Sequence, residues 1–294
     1  MSLQEIQEIK KPPWLKVKFP SNKNFFYVSN TLKKKGLHTI CQNAKCPNIS
    51  ECWSQKTAAF LILGDVCTRS CRFCTVKKGV PSPLFADEPA RVAEAASLLG
   101  LSYAVVTSVT RDDLPDGGAS LFAQTIKALK ERTPEIKVEV LIPDFKGDEK
   151  ALETVVRAQP DILNHNLETT ESIYPHINRP PEHYERSLNV LEKARKMGAL
   201  TKSGLMVGLG EKEEEIIAFF ADLRRVSCDL LTIGQYLQPT KMNSPVRKFY
   251  SPEEFKHLNE IALGFGFRDV ESGPLVRSSY RAHAMYNSLK MRAA

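Results

Sequence analysis

From residue 58 onward the chain alternates short β-rich runs with longer amphipathic ones, and no other feature narrows its fold so far. Residues 58–63, 103–109, 137–142, 161–166, 202–207 and 230–236 read as strands. Residues 88–99, 119–132, 149–158, 182–197, 213–226 and 252–264 read as helices. Six β-α units in succession require a parallel sheet with helical crossovers. A doubly wound sheet gives the same alternation, but three strands end in polar clusters. Thr107-Ser108 runs on to Arg111-Asp112-Asp113, Leu163 to Asn164-His165-Asn166, and Val207 to Gly208-Leu209-Gly210-Glu211. Polar groups gathered at strand C-termini belong to the catalytic end of a barrel. The expected fold class is therefore α/β, a partial (β/α)6 TIM-type barrel over residues 58–265, with an N-terminal extension over 1–57 and a C-terminal extension over 266–294.

At 294 residues the chain buries a core without covalent staples, so its seven cysteines carry another meaning. No run of about 18 apolar residues occurs, and the first eight residues carry two acids and no apolar signal-peptide core. The expectation is a cytoplasmic protein without membrane contact. The formal net charge of +7 is concentrated at one end. Lys10, Lys11, Lys16, Lys18, Lys23, Lys33, Lys34 and Lys35 stand against only Glu5 and Glu8 in residues 1–40. A solvated basic arm and a docking site for an acidic partner both fit. No helix-turn-helix, zinc-finger histidine pair or Arg-aromatic strip points to nucleic acid.

Six of the cysteines fall within 34 residues as two triads, Cys41-x4-Cys46-x5-Cys52 and Cys67-x3-Cys71-x2-Cys74; Cys228 stands apart as a buried apolar residue. Zinc ribbons use two pairs making four ligands, whereas each triad offers three thiolates with no histidine spaced to complete it. Three thiolates around a four-iron four-sulfur cube leave one iron open for chemistry. That reading is strong for the second triad, which follows Phe60-Leu61-Ile62-Leu63 into the loop after the first strand. Spacing by itself leaves zinc and iron–sulfur open for the first.

Cys67-Thr68-Arg69-Ser70-Cys71-Arg72-Phe73-Cys74 resembles the C-x3-C-x2-C motif of the radical S-adenosylmethionine (SAM) superfamily, including the aromatic Phe73 before the last cysteine. The preceding triad, Arg277-Ser278-Ser279-Tyr280, residues 108–118 and Asn164-His165-Asn166-Leu167-Glu168-Thr169 together are similar to the lipoyl synthase family. The resemblance implies that a 4Fe-4S cluster on Cys67, Cys71 and Cys74 binds SAM and cleaves it reductively to a 5′-deoxyadenosyl radical. It implies a second 4Fe-4S cluster on Cys41, Cys46 and Cys52, which is consumed as sulfur donor to C6 and C8 of an octanoyl-lysine. The fourth ligand of that auxiliary cluster is then Ser279, with Ser278 as the alternative. Without the resemblance this pair reads as an N-cap for a helix over 280–289.

Gly204 to Glu211 resembles the superfamily's G-x-I-x-G-x-x-E segment, so the cofactor-binding candidates are Phe73, Thr107, Asn166, Glu168, Gly208 and Glu211. A strand-to-helix turn explains Gly210 and Glu211 equally well, and a polar rim explains the strand-end residues. Asp116 before Gly117-Gly118 is turn and cap chemistry. The implied partners are octanoylated lipoyl carrier domains of the 2-oxoacid dehydrogenase E2 or glycine cleavage H-protein type, an electron donor such as flavodoxin or ferredoxin, and an iron–sulfur cluster carrier. Protein purified anaerobically should be brown and hold about eight irons per chain. Iron and zinc analysis checks this, and colourless zinc protein overturns it.

Overall fold

An apolar run such as Phe60-Leu61-Ile62 tolerates water on neither side, which is the signature of an inner strand of a parallel sheet covered on both faces. The computed structural model describes residues 10–17 and 22–293, so Glu5, Glu8 and Lys18 of the basic arm lie outside the described residues. In chain order, α1 (Lys23–Lys34), β1 (His38–Thr39), α2 (Ile40–Asn43) and α3 (Ile49–Ser54) precede β2 (Ala59–Ile62). A small parallel ribbon, β3 (Val66–Cys67) with β4 (Lys77–Lys78), follows. Then come α4 (Glu88–Leu99), β5 (Tyr103–Ser108), α5 (Ala119–Arg132), β6 (Lys137–Leu141), α6 (Glu149–Arg157) and β7 (Ile162–Asn164). The chain continues through α7 (Glu182–Lys196), β8 (Thr201–Val207), α8 (Glu213–Arg225), β9 (Leu230–Gln235), α9 (Pro252–Gly264), β10 (Asp269–Gly273) and α10 (Ala282–Ala293).

The main sheet has the order β1-β2-β5-β6-β7-β8-β9-β10. Every pairing is parallel except β1 with β2, and β1 and β10 remain as edges, so the barrel is open. All six expected strands and their helices are present in the expected order. Local chemistry sets the helix ends. Asp148 caps α6 through the Lys150 and Ala151 amides, and Ser251 with Glu254 forms a capping box ahead of Pro252 in α9. Two features differ from expectation. The last helix starts at Ala282, so Ser278 and Ser279 precede it in a non-helical segment. A seventh parallel strand, β10, arises in the C-terminal extension; Asp269-Val-Glu-Ser-Gly has no apolar run because this edge strand is only partly buried.

Between β10 and α10, residues 274–281 form a strap that enters the barrel beside β9. A Cβ on Gly234 would lie 2.2 Å from the Val276 carbonyl oxygen, so only glycine leaves room for the strap. Asn48 Nδ2 donates to the Leu275 carbonyl at 2.6 Å, and the Tyr280 hydroxyl donates to Glu51 at 3.1 Å. The strap is thereby fastened to the α3 region. Gly234→Ala must push a backbone carbonyl aside and should cost about 1–3 kcal/mol. Denaturant melts of the metal-free protein measure this loss.

Candidate functional site

Leu63 and Gly64 adopt left-handed backbone (φ 69° and 89°), turning the chain sharply out of β2 into the Cys67–Cys74 loop. That loop is fastened to segments that follow other strands. The Thr68 amide and hydroxyl both donate to the Thr110 carbonyl, after β5. The Arg72 amide donates to the Ile177 carbonyl, and Asn178 donates to Ser70, both after β7. Asn243, after β9, donates to the carbonyls of Arg72 and Cys74. The three cysteines therefore sit at the C-terminal end of the strands, where a barrel holds its chemistry.

Arg69, between the first two of these cysteines, is gripped by two carboxylates. Its Nε meets Asp112 at 2.7 Å, and its Nη2 meets Asp144, only 3% exposed, at 2.5 Å. Burial pushes the Asp144 carboxyl up, but the hydrogen bond and charge of Arg69 outweigh it and hold the group well below the usual carboxylate range. Arg111, also buried, pairs with Asp113 and donates to the Leu63 carbonyl. Arg179 lies over the rings of Phe73 and Tyr174, and its charge acts on Cys71 and Glu168.

In the other triad, Cys41 lies in α2, Cys46 beyond it and Cys52 in α3. The thiols sense one another: burial first, then the neighbouring sulfurs, pushes Cys52 up to about 12. Burial likewise pushes Cys41 and Cys74 up to about 11. Burial raises Cys46 too, opposed by the Asn48 amide and the charge of Arg277. The two triads adjoin, because the hydroxyl of Thr75, next to Cys74, donates to the carbonyl of Asn43 at 2.7 Å. Among the described residues no three His, Cys, Asp or Glu side chains are drawn together tightly enough for one metal ion. A single tetrahedral zinc needs its sulfurs about 2.3 Å away, whereas a cube binds each sulfur at a separate corner and spreads them. Three soft thiolates in each triad are the donor type that iron–sulfur cubes take.

The SAM candidates fall into two groups. Phe73 packs with Ile173, Ile177, Leu209 and Tyr236, under Arg179. Asn166 and Glu168 lie beyond β7. Asn166 Nδ2 donates to the Ser278 hydroxyl at 2.7 Å while its Oδ1 is buried without a partner. Burial raises Glu168, opposed by Arg179 and Asn166. Unpartnered polar atoms of Ser108 and His165 lie at the same strand ends, and such atoms want a polar ligand. Thr107, Gly208 and Glu211 are instead engaged within the fold. The Thr107 hydroxyl donates to the Leu141 carbonyl, and the Glu211 carboxylate accepts from the Gly208 and Leu209 amides and the Tyr250 hydroxyl. Gly208 (φ 103°) has no space for a Cβ against Gln235. Asp116 accepts from the Gly118 and Ser120 amides, the expected cap.

Residues 61–223 match the Radical SAM superfamily, and residues 1–46 match the N-terminal domain of lipoyl synthase of the Radical SAM family. A lipoyl synthase of Rubrobacter xylanophilus is 53% identical over 93% of this chain and 85% of its own length. One of Caldicellulosiruptor saccharolyticus is 55% identical over 94% of this chain and 98% of its own. The chain belongs to the lipoyl synthase family. A lipoyl synthase is a radical SAM enzyme that inserts sulfur and works with SAM and two 4Fe-4S clusters. Among solved structures, HydG, a maturase of the FeFe-hydrogenase, superposes with TM-score 0.59 at 15% identity over 78% of this chain and 53% of its own. SuiB of Streptococcus suis, bound to S-adenosylmethionine, gives 0.55 at 14% over 78% and 54%. At such identity the likeness is one of fold, and this chain spans about half the length of either structure. Among the described residues no helix is long and apolar enough to cross a membrane.

Sequence reasoning missed the carboxylate grip on Arg69 and the placement of Arg179. The first was foreshadowed by Asp112 and Asp144 in strand-end loops; Arg179, in an Asn-Arg-Pro-Pro turn, carried no signal. Asp144→Asn should destabilise the metal-free protein by about 2–3 kcal/mol at neutral pH, Asp112 still holding Arg69. The depressed Asp144 group contributes stability that is complete above about pH 4 and is lost as pH falls toward its folded value. Acid-unfolding curves should therefore fall less steeply below about pH 4 in the variant than in the parent.

Proposed function

We propose that this chain converts a protein-bound octanoyl-lysine to lipoyl-lysine by inserting sulfur at C6 and C8, with residues 58–265 as the radical SAM barrel and residues 1–57 and 266–294 carrying the auxiliary site. Cys67, Cys71 and Cys74 hold the SAM-binding cluster; Cys41, Cys46, Cys52 and Ser279 hold the auxiliary one. When bound, the two clusters and SAM supply the one-electron chemistry and the sulfur that no side-chain acid or base can provide at unactivated carbons. The observation that carries this reading is the Thr75–Asn43 hydrogen bond, which joins the two segments bearing the triads.

The chain's own groups bind, orient and shield. Asn166 and Glu168 offer an amide oxygen and a carboxylate to SAM, and Arg179 balances the carboxylate. Phe73 walls the cysteine loop from the Ile173–Ile177 side, and Thr107, Gly208 and Glu211 shape the mouth against which the nucleoside lies. Arg69 sets the position of its loop through Asp112 and Asp144. Ser279 is favoured over Ser278 because Ser278 already accepts from Asn166, whereas the Ser279 side chain makes no hydrogen bond among the described residues. Serine oxygen is a hard ligand on a soft cluster, and a ligand easily lost suits a cluster that is dismantled.

The carriers in this reading are E2-type or H-protein-type lipoyl domains, the reductant is a flavodoxin or ferredoxin, a cluster carrier restores the auxiliary site, and the setting is the cytoplasm. Anaerobic incubation of reconstituted protein with SAM, reductant and an octanoyl-lysine peptide should yield a product heavier by two sulfurs in mass spectrometry. Ser279→Ala should cleave SAM at near the parent rate yet yield no lipoyl product. Normal product from that variant would refute the ligand assignment. Exposed Lys10, Lys11 and Lys16 suit an acidic carrier. Added salt should slow turnover of a carrier domain more than turnover of the peptide; equal sensitivity overturns docking through the arm.

A further inference from the structure

Resting on the assignment of Ser279, we propose that Lys202, paired with Glu139 inside the barrel, is the positioning residue that holds the Ser278–Ser279 strap at the auxiliary cysteines. Lys202 lies in β8 and Glu139 in β6, and both side chains are fully buried. Lysine is almost never so placed unless paired. Its Nζ donates to Glu139 Oε1 at 2.9 Å and to the Ser278 carbonyl at 2.6 Å. Glu139 is fixed in turn by the Tyr103 hydroxyl at 2.6 Å and by Asn164 Nδ2 at 3.3 Å.

A buried ion pair is a poor device for stability alone, because two apolar residues usually do as well. What apolar residues cannot do is donate to a strap carbonyl. The Ser278 carbonyl belongs to the same planar peptide group as the Ser279 nitrogen, so holding it fixes the plane from which Ser279 departs. Asn166 fixes the Ser278 hydroxyl in addition, and Gly234 admits the Val276 carbonyl from β9. The strap is thus held at three points by barrel side chains and backbone, with the Ser279 hydroxyl uncommitted among the described residues. A serine ligand binds iron weakly, so its placement must come from the chain.

The test is Lys202→Met combined with Glu139→Gln, which removes both charges together and leaves neither buried alone. In the metal-free protein, amides of residues 275–280 should exchange with solvent about tenfold faster than in the parent, the loss expected for one charge-assisted hydrogen bond. After reconstitution the auxiliary site should lose iron and give the EPR signal of a three-iron cluster, while SAM cleavage without octanoyl substrate stays within about twofold. Unchanged exchange together with two intact four-iron clusters overturns the proposal. If circular dichroism finds the double variant unfolded, Lys202→Gln with Glu139→Gln repeats the test; collapse of both assigns Lys202 to core stability and overturns positioning. Ser279→Ala separates the two readings. If it keeps a four-iron auxiliary cluster, the ligand assignment itself fails; if it loses iron while the double variant does not, only the role of Lys202 falls.

Discussion

An open parallel sheet leaves two edges with unpaired backbone groups, and both must be met by something. Here each terminal extension supplies a short strand: β1 pairs antiparallel with β2 at one edge, and β10 pairs parallel with β9 at the other. These pairings set everything at the mouth. Cys41 follows β1 by two residues, and the strap leaves directly from β10. Asn48 to Leu275 and Tyr280 to Glu51 then join the two extensions across the opening. The two added strands thereby bring cysteines from one end of the chain and serines from the other to a common place.

Electrostatics bears on how these thiols would take up a cluster. With burial and mutual repulsion raising Cys41, Cys52 and Cys74, the metal-free thiols stay protonated at neutral pH. Ligation by these thiols would expel those protons, linking cluster assembly to proton release. Cationic groups stand close by: Arg277 acts on Cys46 and Arg179 on Cys71. They would offset the negative charge that thiolate ligation builds up in a low-dielectric setting.

Much of this was legible in the sequence. The alternation of runs fixed the order of β2 to α9 because parallel strands and amphipathic helices have distinct periods, and the helices at 88–99, 119–132 and 252–264 match to the residue. The two triads were legible because clustered thiols have few uses. Other features depended on contacts between distant segments. β10 went unseen because a partly buried edge strand needs no apolar run. Thr107 and Glu211 were legible as strand-end polar residues, but their hydrogen bonds to Leu141, Gly208 and Leu209 were not. Lys202 did leave a trace, a charged residue inside the strand Thr-Lys-Ser-Gly-Leu-Met-Val. Its meaning required Glu139 from two strands away and Ser278 from the far end of the chain.

The seating of the Val276 carbonyl on Gly234 bears on how such chains can vary. Anchored by β10 before it and α10 after it, the stretch from Pro274 to Arg281 has no slack to absorb an indel. Dropping or adding one residue displaces the downstream backbone by roughly 3.5 Å, more than a coordinate bond is long. Relatives that keep the same reaction are thus expected to drift in letters along this stretch far more readily than in its count.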